Sequence, residues 1–202
     1  MKTMQQFVET IKIEDGKALN LNFHQARMER TMRHFFAHTP VPMLSGVLSP
    51  TPDMHFYKAR VVYGGQGVED VQYASYKMRE IRSLKLVEDN EIDYSFKSTD
   101  RACLNRLTAQ KGDCDEVLIV KNGLLTDTSF TNIAVFDGER WLTPKHPLLL
   151  GTKRASLLER QVIKEADISV ETLMKAQKVS LINAMIDLGE IEITTQMVNR
   201  GL

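Results

Sequence analysis

Lys97 stands just before a stretch of helical character, and Asp127 follows one helix and one strand later, in the run Leu125-Thr-Asp127-Thr-Ser-Phe-Thr-Asn132. A lysine amine can form a Schiff base with an aldehyde, and a carboxylate can hold a proton on a basic ring nitrogen through a charge-assisted hydrogen bond. Together the two groups suit a ring cofactor that takes up electrons. The spacing also fits a plainer reading, a solvated surface lysine and a turn-forming aspartate. His24 and Arg27 lie three apart on one side of a helical stretch, a pattern that by itself reads as surface decoration. Gly151-Thr152-Lys153-Arg154 leads into a helix over 155–166; a glycine and exposed amides there suit phosphate, although any helix start looks the same. Arg60, on a strand, could meet a substrate carboxylate or simply face solvent.

The elements that must position these groups follow from periodicity and turn residues. Residues 6–14 alternate as a strand, Asp15-Gly16 turns the chain into a second strand over 17–21, and Asn22 can cap a helix. Phe23, Ala26, Met28, Met32 and Phe35 or Phe36 supply that helix with an apolar face. Thr-Pro, Val-Pro and Ser-Pro-Thr-Pro make residues 38–53 an irregular link. Strands follow at 57–63, 68–76 and 78–86, all antiparallel; Gly64-Gly-Gln-Gly67 is a turn and no phosphate loop, because neither a lysine nor a helix follows it. The acidic stretch 87–93 connects two parts, and a helix spans 99–111. Strands 116–120 and 131–136 flank the turn bearing Asp127, with Asn122-Gly123 and Asp137-Gly138 as tight hairpins. Residues 179–186 read as a strand running into a turn.

With 202 residues, 43% hydrophobic and 26% charged, the chain has the composition of a globular protein with a packed core. Lys+Arg and Asp+Glu both number 26, so no overall field draws in nucleic acid or an acidic membrane. Two cysteines, Cys103 and Cys114, without a Cys-x-x-Cys or histidine cluster, predict neither a disulfide framework nor a metal site. The opening Met-Lys-Thr-Met-Gln-Gln leads into no apolar signal region, and no apolar stretch is long enough to span a bilayer, which predicts a cytoplasmic protein.

Several of these residues, in order, resemble the fold type IV pyridoxal phosphate family, which holds the class IV aminotransferases and aminodeoxychorismate lyase. Lys97-Ser-Thr-Asp100-Arg101 is similar to that family's lysine followed by Asn-Arg, and Asp115-Glu116-Val117 to its Asp-Glu-Ala strand. Leu125-Thr-Asp127-Thr-Ser-Phe-Thr-Asn132 resembles its Val-Thr-Glu-Gly-Ser-x-Ser-Asn, and Thr143-Pro144 with Leu150-Gly151-Thr152-Lys153-Arg154 its Tyr-Thr-Pro and Gly-Ile-Thr-Arg. The resemblance implies a two-subdomain α/β (α+β) fold like that of D-amino acid aminotransferase, with a shortened N-terminal domain. The boundary falls between a small α/β part, 1–91, and a larger cofactor-binding part, 92–202. It implies pyridoxal 5'-phosphate as cofactor, attached to Lys97, with its phosphate on Arg27, Thr152 and Lys153. The ring nitrogen would lie on Asp127, with Asn183 and Ala184 near the phosphate or ring. It also implies a small-molecule amine substrate and a homodimer, since family members build their sites between subunits.

The same resemblance bears on the reaction. The lyases share Asn-Arg after the lysine, here Asp100-Arg101, and an Asn-Ala-Leu-like turn, here Asn183-Ala184-Met185. The branched-chain aminotransferases instead have a tyrosine where this chain has Ala102, and Gly-Thr in the last turn. The expected activity is therefore that of 4-amino-4-deoxychorismate lyase, with a class IV aminotransferase of branched-chain or D-amino acids as the alternative. A non-catalytic relative that binds the cofactor is the third reading. It draws on three departures: the sequence starts almost at its first strand where the family usually has further residues before it, Asp127 stands where the family has glutamate, and Thr152-Lys153 where it has Ile-Thr.

Overall fold

The computed structural model describes residues 5–200; the opening Met1–Met4, on which part of the signal-region expectation rests, lies outside the described residues. The chain divides into two compact units, Met1–Lys77 with Phe96–Asp100, and Met78–Ser95 with Arg101–Leu202. Lys97, placed by the sequence reading at the start of the C-terminal part, thus lies with the first unit.

In the first unit, β1 (Phe7–Glu14), β2 (Lys17–Ala18), β3 (Tyr57–Gly64) and β4 (Gly67–Ser75) form an antiparallel sheet in the order β2-β1-β3-β4. Asp15 and Gly16 both adopt positive φ, 48° and 73°, which matches the twist of a two-residue hairpin. Helix α1 (Leu21–Phe35) packs on this sheet, and α2 (Leu44–Val47) is a single turn within the proline-rich link. The helix does not start at an Asn22 cap. The backbone turns at Asn20, φ 53°, without a side-chain cap, so Asn22 already lies inside the helix. Its buried positions are His24, Arg27, Met28, Thr31 and Met32, so the inward face takes in both residues read as surface decoration. The core gathers Phe7, Ile11, Ile13, Met28, Met32, Ala59, Val61 and Tyr63. The Lys97 segment joins the sheet by strand pairing: Phe7 bridges Ser98, Val8 N–H donates to the Lys97 carbonyl (3.0 Å), and Thr99 N–H to that of Gln6 (3.0 Å).

In the second unit a nine-stranded sheet follows from β5 (Leu84–Glu88), β6 (Glu116–Lys121), β7 (Leu124–Thr128), β8 (Asn132–Phe136), β9 (Trp141–Pro144), β10 (Ile163–Ala166), β11 (Lys178–Ile182), β12 (Glu192–Thr194) and β13 (Val198–Asn199). The main order is β10-β9-β8-β7-β6-β5-β13, with β11 and β12 branching from β8. Three short helices accompany it, α3 (Ala102–Thr108), α4 (Thr152–Glu159) and α5 (Val170–Lys175). One core joins Val87, Tyr94, Leu104, Leu107, Val117 and Ile119; another joins Ala134, Leu157, Ile163 and Ile182.

Three sequence expectations change here. Residues 78–83 form no strand, and β5 pairs parallel to β6 (Leu84↔Glu116), the pairing that a long crossover permits and a hairpin does not. The helix expected over 155–166 begins at Thr152 and ends at Glu159; Gln161 turns left-handed, φ 57°, and the chain continues as β10, parallel to β9. Asp127 sits within β7 itself, opposite Asn132 of β8, rather than in the turn. Cys103 and Cys114 are unbridged. Among the described residues no helix is long and apolar enough to cross a membrane, and no cluster of three metal-ligating side chains occurs.

Candidate active site

Strand alternation sends Phe7, Glu9, Ile11 and Ile13 of β1 inward together, which places one carboxylate in an apolar row. A buried charge needs a partner, and α1 supplies two, one turn apart. Arg27 Nε donates to Glu9 Oε1 (2.9 Å) and Nη2 to Oε2 (2.5 Å), a two-pronged grip. His24 Nδ1 donates to the same Oε2 (2.6 Å). Burial pushes the Glu9 carboxyl up, but the Arg27 charge and the hydrogen bonds from His24 and Arg27 outweigh it and bring it down to about 2. Burial lowers His24 from its ordinary value, against the pull of Glu9 and with the help of the Arg27 and Lys97 charges. Held below its ordinary 6.5, His24 is neutral at neutral pH. The first unit thus groups Arg27, Glu9 and His24, and the Lys97 charge is felt at His24.

The second unit assembles the other expected residues. Asp127, 4% exposed, accepts from Asn132 Nδ2 at Oδ1 (2.8 Å) and from Leu149 N–H at Oδ2 (2.9 Å). Burial raises its carboxyl to about 7, although the Leu149 N–H, Asn132 and the Arg154 charge all pull it down. The turn after it is closed by Thr128 and Thr131, whose N–H and hydroxyl groups bond across it. Arg101 Nη2 donates to Ser129 O (2.8 Å), and Ser129 Oγ to the buried Glu116 carboxylate (2.9 Å). Asn183 Nδ2 donates to Phe130 O (3.3 Å), while its Oδ1 accepts from the Met185 (2.8 Å) and Ile186 (3.1 Å) N–H groups, so one side chain shapes the Ala184 turn and ties it to the Asp127 loop.

Thr152 and Lys153 open α4 and are buried, and Lys153 Nζ forms an ion pair with Asp187. Arg154 Nη2 donates to Pro144 O (2.8 Å) and Glu165 Oε1 (2.6 Å). Arg60, in contrast, pairs across the first sheet with Asp70 at 3.9 Å and is partly exposed. Glu9 and Asn132 escaped the sequence reading as site residues. Glu9 had a signal, a carboxylate in phase with Phe7 and Ile11; Asn132 becomes visible only when β7 and β8 are paired.

The pH behaviour of the cofactor-free protein follows from Asp127. Its folded form keeps a proton that an unfolded aspartate has released above its ordinary 3.8, so its contribution to stability falls as pH rises from there to about 7. Denaturation of Asp127→Asn at a series of pH values should lack that falling component; an identical pH dependence in variant and wild type would refute it.

The sequence profile of the family described as Amino-transferase class IV matches residues 68–192. An uncharacterized protein of Haemophilus influenzae is 38% identical over 186 residues, 90% of this chain and 98% of that protein. Among solved structures, a putative 4-amino-4-deoxychorismate lyase from Haemophilus somnus is 34% identical with a TM-score of 0.85, covering 93% of this chain and all (100%) of that one. The pyridoxal-phosphate-bound form of a hypothetical aminotransferase from Mycobacterium tuberculosis, 18% identical, shares the fold with a TM-score of 0.73, over 96% of this chain and 81% of that one.

Proposed function

We propose, from the premise that this chain belongs to the amino-transferase class IV family, that it is a pyridoxal-phosphate-dependent lyase converting 4-amino-4-deoxychorismate to 4-aminobenzoate and pyruvate. The observation that carries the lyase reading is the Asn183-Ala184-Met185 turn, where the Asn183 amide both closes the turn and anchors it to Phe130. A Gly-Thr sequence of the aminotransferase kind has no such amide. The likeness to the Haemophilus somnus protein supports the same reading.

The side chains present fit the cofactor in each unit taken by itself. In the first, Arg27 is buried and oriented by Glu9 through two of its N–H groups, and a guanidinium with five donors can serve more than one acceptor. In the second, α4 starts at Gly151 without a side-chain cap, the arrangement that presents first-turn amides to an anion. A Cβ at Gly151 would lie 1.9 Å from Asn132 Oδ1, so only glycine fits there. Asp127 accepts from Asn132 at Oδ1 and from Leu149 N–H at Oδ2, with the Leu148 N–H also acting on it, and a carboxylate has about four lone-pair sites in all.

On this reading Lys97 attaches the cofactor, Arg27 and the start of α4 hold its phosphate, and Asp127 holds the proton of its ring nitrogen. Lys153 contributes through its main chain, because its ammonium is committed to Asp187. When bound, pyridoxal phosphate supplies an electron sink that makes the C–H bond beside the substrate amine acidic. With the cofactor in place, the Lys97 amine would act as the general base that takes this proton. The elimination would break the C–O bond at the neighbouring carbon, releasing pyruvate as its enolate, which takes up one proton in place of the one removed, and leaving the ring aromatic. Holding a ring proton would require Asp127 to be ionised, and a positive charge beside it would oppose the burial that raises its carboxyl.

The test is a direct comparison of two reactions by the purified protein with added pyridoxal phosphate. Equal amounts of 4-aminobenzoate and pyruvate should form from 4-amino-4-deoxychorismate. Amino exchange from branched-chain or D-amino acids to 2-oxoglutarate, without 4-aminobenzoate, would replace the lyase reading by the aminotransferase one. A cytoplasmic homodimer belongs to the same proposal; light scattering should give twice the chain's mass, and a monomer that turns over substrate would remove the dimer from it.

A further inference from the structure

Asn132 has both of its amide hydrogens committed. One goes to Asp127 Oδ1 and the other to Leu149 O, each at 2.8 Å, while Leu149 N–H returns to Asp127 Oδ2 (2.9 Å). The three residues form a closed ring of hydrogen bonds among β7, β8 and the chain that opens α4. Its remaining atom, Asn132 Oδ1, presses on Gly151 so closely that no Cβ fits between them. An amide fixed on three sides has one orientation and one length. Aspartate in its place would offer no hydrogens, and would face the Asp127 carboxylate and the Leu149 carbonyl with acceptors alone.

We propose that Asn132 is a positioning residue which fixes the Asp127 carboxylate and the Leu149–Gly151 chain relative to each other, so that the ring-nitrogen end and the phosphate end of the cofactor site behave as one rigid piece. The inference rests on the cofactor-site reading above. It assigns Asn132 no contact with the cofactor; it acts through Asp127 and the start of α4. The Arg154 charge also acts on Asp127, and Arg154 is held by Pro144 O and Glu165 rather than by Asn132.

The experiment titrates cofactor-free wild type and Asn132→Asp with pyridoxal phosphate and with pyridoxal, which lacks the phosphate, and follows the bound cofactor's absorption across pH. The ratio of the two affinities reads the phosphate end, and the midpoint of the absorption change reads the ring end. Asn132→Asp should lower the ratio by about tenfold or more and move the midpoint as well, the loss expected for hydrogen bonds to a charged group. A folded variant in which either readout stays at its wild-type value overturns the proposal. Should Asn132→Asp not fold, Gly151→Ala presses on Asn132 from the other side and is read in the same two ways, with the same overturning result. Asp127→Asn and Arg27→Leu run alongside: if they too leave cofactor binding unchanged, the site reading fails, and if only the Asn132 and Gly151 variants are silent, the brace fails alone.

Discussion

Lys97→Ala should lose turnover by at least about a thousandfold, because on the proposed reading one side chain both attaches the cofactor and moves the proton. The protein should nevertheless fold. The segment around Lys97 is held by its main chain, through the Val8 and Thr99 bonds, and alanine keeps both. Thermal melts should therefore coincide within a few degrees, while borohydride should fix the cofactor on the wild-type chain and leave none attached to the variant. Lys97→Arg separates charge from chemistry, since it retains a cation near His24 but cannot attach an aldehyde. Equal turnover by wild type and both variants would remove Lys97 from the reaction and leave a cofactor-binding relative as the reading to test.

The second large effect is on stability, at Glu9. Removing its charge leaves Arg27 buried without its anion, a loss of roughly 3–5 kcal/mol. In a chain of this size that is a fall in melting temperature of roughly 6–20 °C for Glu9→Gln. Much of it should return in Glu9→Gln/Arg27→Met, which removes both charges. The sign of the pH dependence is set by the lowered carboxyl. Glu9 stabilises fully above its ordinary 4.5, and the contribution, about 3 kcal/mol, fades as pH falls from there through about 2. The gap between wild type and Glu9→Gln in urea denaturation should thus close on acidification; a gap that stays constant down to pH 2 contradicts the assignment. Asp127 runs the other way over a higher window, so the two buried carboxylates tilt the stability curve in opposite directions.

What could be read from the sequence was local. Alternation over Phe7 to Ile13, the Asp15-Gly16 and Asn122-Gly123 hairpins with their paired positive φ values, and the order of the family motifs all depend on near neighbours. What could not be read depends on pairing across distance. Leu84–Glu88 carries no mark of being parallel to β6, and Val162 and Ile163 continue a helical period although the left-handed turn at Gln161 has already ended the helix. Arg27 and Glu9 are separated by β2 and a turn, so their contact appears only once α1 is laid on β1. Asp127 looked like a turn residue because threonine and serine surround it; the turn lies one residue later, and the carboxylate's place in β7 is what buries it.

The pairing of Phe96–Asp100 with β1 also sets an order of events during synthesis. A nascent chain that has reached Lys77 contains all four strands of the first sheet, yet among the described residues the outer edge of β1 at Phe7 and Val8 is paired by Lys97 and Ser98, which come later. Open strand edges recruit other strands. The lysine that would carry the chemistry therefore travels on the segment that seals the sheet, and a ribosome pausing between Lys77 and Phe96 would hold out an adhesive edge. Lys97 and the finished fold of its unit arrive together.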